Sequence, residues 1–249
     1  MTLLVLLLGF MVSAQNDALF NNATDSYNKG NYDKAAEQYL QIIENGQHSA
    51  ALYFNLGNCY YKLNQVAPSI YYYEKALLLE PNNTEIRTNL GFAKNMTLDA
   101  IETLPESGFS KIRSSITGYL SFDQWAYLAV ICSILFVLFY IAFYYFRYAT
   151  KKRIAFILSL SSLFLSIIAV IFAFIEYNDF NAYQPAIVFT DDEVIIKSEP
   201  NKRSQEVFRL HAGTKVNILE KLDDWKKIQI ADGKTGWLSS EDVKLLKNF

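Results

Sequence analysis

Apolar residues are spread along this chain in three textures, and each predicts a different kind of element. Two uninterrupted runs, residues 125–146 and 154–175, contain no charge over 22 residues each. About 20 residues at a rise of 1.5 Å suffice to cross a hydrocarbon core. A backbone in lipid must also satisfy its own hydrogen bonds, so both runs are expected to be transmembrane helices. After Pro185 the texture changes to short β-branched or alternating runs at 186–189, 194–197, 207–210, 215–220, 226–230, 235–238 and 243–246. Turn residues separate them, and Asp232-Gly233 between two runs is a hairpin signal. Many short strands in ~65 residues imply a small all-β barrel.

The third texture is a repeat. Residues 16–49 and 50–83 form two blocks of 34, in which Tyr32-Asp-Lys-Ala35…Tyr39 aligns with Val66-Ala-Pro-Ser69…Tyr73. A partial third copy starts at Thr84, carries Leu90-Gly91, and is expected to continue helically to about Leu104. Self-similarity at this period marks stacked helical hairpins. Small residues (Ala23, Ala35, Gly57, Ser69, Ala76) fall where helices cross closely, and large ones (Tyr39, Leu56, Tyr60, Tyr73, Leu77) fill the space between repeats. The stretch Asn55-Leu-Gly-Asn-Cys-Tyr-Tyr-Lys62, then Ala76, then Pro81-Asn82-Asn83, resembles the tetratricopeptide-repeat (TPR) family. The likeness is looser in the first block, where Asn22 and Ala23 replace Leu-Gly and Ser26 replaces the Tyr.

The resemblance implies an α-helical TPR solenoid whose first helices line a concave, partner-binding groove. By position that groove receives Phe20, Thr24 and Tyr27 from the first repeat. Phe54, Asn58, Tyr61 and Lys62 come from the second, and Thr88, Phe92 and Asn95 from the third. The set is aromatic and amide-rich. The two-carboxylate clamp of some TPR proteins is not matched, because its Lys and Asn are missing from the first repeat. The alternative for Phe54 and Tyr61 is packing between helices, and the groove is the reading preferred.

The C-terminal domain, residues 185–249, resembles the bacterial SH3-like (SH3b) family. The likeness rests on Val194-Ile-Ile-Lys-Ser198-Glu-Pro200, Gly213-Thr-Lys-Val216, Asp224-Trp225-Lys-Lys-Ile228 and Asp232-Gly-Lys-Thr-Gly236-Trp237. It implies a module that recognises cell-wall peptides or extended partner segments. Trp237 reads as core, whereas Trp225 stays open between core support and a ligand-stacking surface.

Charge then orients the chain. Leu3 to Val12 are apolar and are followed by Ser13 and Ala14, the pattern of a secretory signal peptide over residues 1–14. The loop at 147–153 carries Arg147, Lys151, Lys152 and Arg153, so the positive-inside rule places it in the cytoplasm. The TPR domain (15–104) and the SH3-like domain then share the opposite, extracytoplasmic side of the membrane. In the linker at 105–124, Phe109, Ile112, Ile116 and Leu120 recur at the spacing of a helix lying on the membrane surface. Residues 176–184 read as a second linker. Stripes of small residues (Ala126, Ala129 and Ser133; Ser159, Ser162, Ser166, Ala169 and Ala173) are the expected hairpin contact.

The chain is 51% hydrophobic, but its mean hydropathy is only +0.08, consistent with apolar residues concentrated in runs. A net charge of −2, with no block of five like charges, excludes the basic footprint of a nucleic-acid binder. Cys59, Cys132, His48 and His211 form no metal-ligand pattern, and no cofactor is implied. The clusters Asp191-Asp192-Glu193, Asp223-Asp224 and Glu241-Asp242 sit in turns, without the apolar surroundings that acid–base chemistry needs. With no phosphate loop, HExxH or Ser elbow, the expectation is a protein that is not an enzyme.

The order signal segment, TPR, two spans with a basic loop, and SH3b resembles the BatE-type proteins of the Bacteroides aerotolerance (Bat) operon. This implies an adaptor or scaffold of a cell-envelope complex, with both domains on the periplasmic side of a bacterial inner membrane. Its partners would be other Bat proteins and a MoxR-type ATPase system, and its role would lie in aerotolerance or stress resistance. The alternative is a cell-wall sensor that binds peptidoglycan through the SH3-like domain.

Overall fold

The computed structural model describes residues 2–99, 101, 108 and 117–247, with the backbone alone over 2–14. The chain forms two units: Met1–Leu104 together with Gln184–Phe249, and Pro105–Tyr183.

The first unit opens with five helices, α1 (Thr2–Asn28), α2 (Tyr32–Glu44), α3 (Ala50–Lys62), α4 (Val66–Leu79) and α5 (Thr84–Lys94). α2 and α4 start 34 residues apart, as do α3 and α5, so the sequence period is the structural one. Gly30 and Gly46, after α1 and α2, adopt φ of +81° and +80°, a region open to glycine without steric cost. Ser49 and Asn83 cap α3 and α5, their side chains accepting backbone N–H groups of the first turn. One buried cluster joins α1, α2 and α3 around Tyr39, Leu52 and Leu56. A second joins α3, α4 and α5 around Tyr53, Ile70, Tyr73 and Leu90.

α5 ends at Lys94, ten residues short of the expected Leu104. Thr97 donates its hydroxyl to the Lys94 carbonyl, and the chain leaves the helix there. Asp99 and Ile101 run onto the β-domain, where Ile101 packs against the core.

That domain has seven strands: β1 (Pro185–Val188), β2 (Glu193–Lys197), β3 (Glu206–His211), β4 (Lys215–Leu222), β5 (Trp225–Gln229), β6 (Thr235–Ser239) and β7 (Val243–Leu245). Each lies within two residues of an expected run. They form one antiparallel sheet in the order β3-β2-β6-β5-β4-β1-β7. A single core cluster draws on every strand, so the sheet curls around its own interior. Gly233, at φ +86°, makes the β5–β6 turn.

Helices and sheet share a core. Ile187 and Leu246 are fully buried in the cluster that holds Ile70, Tyr71 and Leu90. Tyr71 donates its hydroxyl to the Leu245 carbonyl (3.2 Å), and its ring meets Phe189 edge-on at 5.6 Å.

The second unit is a hairpin of α6 (Phe122–Tyr145) and α7 (Ala149–Ala182), both long and apolar enough to cross a membrane. A capping box between Ser121 and Gln124 opens α6. Ser159, Ser162, Ser166 and Ala169 are buried against α6, as are Ala129 and Cys132 against α7, whereas Ala126 is exposed. The segment expected as a linker at 176–184 is helical to Ala182. The expected loop at 147–153 is likewise helical from Ala149. Phe109, Ile112 and Ile116, expected on a surface helix, lie outside the described residues.

Candidate functional site

Phe54, Asn58 and Tyr61 recur at i, i+4 and i+7 on α3, and Glu85, Asn89 and Phe92 repeat that spacing on α5. Each set therefore shares one helix face. The two faces enclose a cavity of about 250 Å³ with Lys62, Tyr27 from α1 and Tyr73 from α4.

Tyr73 is a second-helix residue that reaches the groove because Gly57 lets it through. A Cβ on Gly57 would stand 2.5 Å from Tyr73 Cδ1. The Tyr73 hydroxyl donates to Asn58 Oδ1 at 2.6 Å, and Asn89 Nδ2 donates to the same oxygen at 3.0 Å. Both acceptor positions of that oxygen are thereby engaged, which fixes the amide and leaves its N–H donors as what Asn58 offers a ligand. Burial raises the Tyr73 hydroxyl well above the ordinary tyrosine range, so it remains a donor at any physiological pH. Phe54 packs on Tyr73 with ring centroids 5.9 Å apart. Lys62 and Glu85, both exposed, set one cation and one anion at the rim. The arrangement can hold an apolar side chain between aromatic walls while donating hydrogen bonds to a main-chain carbonyl.

Six of the residues expected in the groove line this cavity: Tyr27, Phe54, Asn58, Tyr61, Lys62 and Phe92. Four do not. Phe20 packs edge-on against Tyr39 at 5.3 Å, and the Thr24 hydroxyl donates to the Phe20 carbonyl and lies 2.9 Å from the Tyr39 hydroxyl. Thr88 bonds back to the Thr84 carbonyl of its own helix, and Asn95 is the C-cap of α5. The α5 residues facing α3 lie one turn earlier than a strict 34-residue offset gives, which brings in Glu85 and Asn89. Tyr73 escaped the positional mapping because second helices were assigned to packing.

In the β-domain Trp237 is 8% exposed, with Lys227 Nζ 5.9 Å from its ring centroid, and belongs to the interior. Trp225 is half-buried on β5, paired across the hairpin with the exposed Leu222.

Two family models match the chain. One, described as bacterial SH3 domain, matches residues 192–244, and the other, described as tetratricopeptide repeat, matches residues 50–83. A comparison with curated proteins gave no match. The matched segments cover the β-domain from β2 to the start of β7 and the repeat that supplies most of the groove, and both kinds of module support a binding or adaptor role.

Proposed function

We propose that this protein is a membrane-anchored adaptor that holds an extended segment of a cell-envelope protein in the α3–α5 groove. The observation that carries this reading is Asn58, whose amide is oriented by Tyr73 and Asn89 inside an aromatic-walled cavity. The reading is of a non-catalytic scaffold on the periplasmic side of the inner membrane, with the basic turn in the cytoplasm and residues 1–14 acting as a signal segment. The module order supports a BatE-type role, with other Bat proteins and a MoxR-type ATPase as the associates and aerotolerance as the outcome.

The test is a photo-crosslinking residue at Phe92 in the full chain in native membranes. A discrete envelope-protein adduct is expected. Asn58→Asp keeps the acceptor for Tyr73 and Asn89 but removes the N–H donors, and should weaken capture about tenfold. Absence of an adduct, or an adduct indifferent to both Asn58→Asp and a Phe54→Ala, Tyr61→Ala pair, would refute the groove assignment. A phosphatase reporter after Lys244 should be active, and a silent one contradicts the sidedness.

Trp225 beside exposed Leu222 favours a second reading, peptidoglycan binding by the β-domain. Solubilised full-length protein should then cosediment with purified cell wall, and Trp225→Ala should lose that property. Failure to sediment removes this reading and leaves the first intact.

A further inference from the structure

Within the described residues the repeat stack ends in half a repeat, and its last helix is held in an unusual way. Gly91 on α5 is one period after Gly57 on α3. Where a Cβ on Gly57 would strike Tyr73 of the following helix, a Cβ on Gly91 would meet nothing within 4 Å. Among the described residues none packs against α5 at that point, and 95–99 and 101 run as turn and coil. End repeats lacking a neighbour need a cap.

The β-domain holds the segment just beyond α5 directly, and reaches the last residue of α5 through Glu74 of α4. Glu74 of α4, almost fully buried, accepts from Lys215 of β4 at 2.7 Å and forms an ion pair with Lys94 at 2.9 Å, joining α4, α5 and the sheet through one carboxylate. Asp99 accepts the His211 backbone N–H at 2.8 Å and the Thr214 hydroxyl, and lies 2.6 Å from His211 Nδ1. Gly213 between them fits only without a side chain: at φ +90°, a Cβ would approach Ile70, Val66 and Thr97 to 3.0–3.2 Å.

We propose that the SH3-like domain is the C-terminal cap of the TPR stack, clamping α5 in place as the far wall of the groove. α5 carries Asn89 and Phe92 on the groove and Lys94 on the clamp, so the clamp and the groove share one rigid element. Resting on the groove reading, it follows that a ligand needing α5 in place binds the capped form. Reciprocally, groove occupancy tightens the docking of the β-domain. A partner that drew the β-domain away would release whatever the groove holds. The two modules then act as one coupled receptor.

Hydrogen exchange read by mass spectrometry on the full chain in detergent, without any ligand, tests the cap separately from the groove. An Asp99→Ala, Lys215→Ala pair should speed exchange in α5 by about tenfold or more. Protection of the His211 amide should fall with it, while α2 and strands β5 and β6 stay as in the parent. Should the pair melt the β-domain, Asp99→Ala alone, on neither helix nor strand, decides. Loss of protection at His211 with α5 unchanged overturns the cap, and so does unchanged protection at both. The groove reading fails only in the crosslinking experiment at Phe92.

Discussion

Gly57 and Gly91 stand at the same place in successive repeats, and the space beside them differs. Gly57→Ala sets a Cβ within 2.6 Å of two Tyr73 ring atoms, and that ring cannot swing away without dropping its hydrogen bond to Asn58. Overpacking of this kind costs about 1–3 kcal/mol. Gly91→Ala meets open space at an exposed helical position and should stabilise by up to about 1 kcal/mol. Denaturant midpoints of the two variants, measured on the full chain in detergent, should therefore move in opposite directions. A shared direction would mean that α5 has a partner helix like the other repeats. The sequence shows both residues as the Gly of Leu-Gly, and small size at a helix crossing is legible from the period. Which glycine has something to clear is not legible, because the answer depends on whether a second helix follows. The same limit hid Tyr73: its place as a filler is periodic, but its reach past Gly57 to Asn58 belongs to the assembled stack.

Elements were legible where a short-range rule governs them. The seven strands follow from alternation and turn residues, and Asp232-Gly233 from the need for a positive φ at Gly233. The end of α5 was not, since Asp99 finds its partners 112 and 115 residues away at His211 and Thr214. α7 outruns its apolar stretch for a different reason: an uncharged run marks the thickness of a membrane, whereas a helix can continue through Glu176 and Asp179. Within the hairpin, close approach and hydrogen bonding both act at Ser166. Its hydroxyl donates to the Ala129 carbonyl at 3.0 Å and lies 2.9 Å from the Ser133 hydroxyl, and the residue is 6% exposed. If bonding dominated, Ser166→Ala would be the damaging change, yet such bonds in bilayers average only about 0.6 kcal/mol. Ser166→Leu must instead force the helices apart, at about 1–3 kcal/mol. Thermal unfolding in detergent should rank Ser166→Leu well below Ser166→Ala. Equal losses would give the contact to hydrogen bonding.

For the molecule as a whole, docking of the β-domain on the repeats should depend on pH, and the direction follows from the groups at the joint. The hydrogen bond to Asp99 raises the His211 imidazole above its ordinary value of 6.5, burial opposes this, and the charges of Asp99, Glu193 and Asp192 add to the rise. A group whose docked pKa is raised contributes stability that is full below the undocked value and fades as pH climbs through the docked one. Burial pushes Asp99 and Glu74 upward. For Asp99, bonds from the His211 backbone, Thr214 and the His211 ring win. For Glu74, Lys215 and Lys94 win, so both carboxyls end below their usual range. Their contribution runs the other way: present above the ordinary carboxyl values of 3.8 and 4.5, and lost as pH falls through the lowered ones. Docking is therefore firmest between the carboxyl range and about pH 6.5, and loosens on the alkaline side as His211 gives up its proton. Exchange of α5 amides, corrected for the intrinsic pH dependence of exchange, should be slower at about pH 6 than at about pH 8. His211→Gln keeps a side-chain donor but cannot titrate, and should flatten that difference. A difference that survives His211→Gln would assign the pH response to another group and leave the Asp99–His211 contact as a hydrogen bond alone.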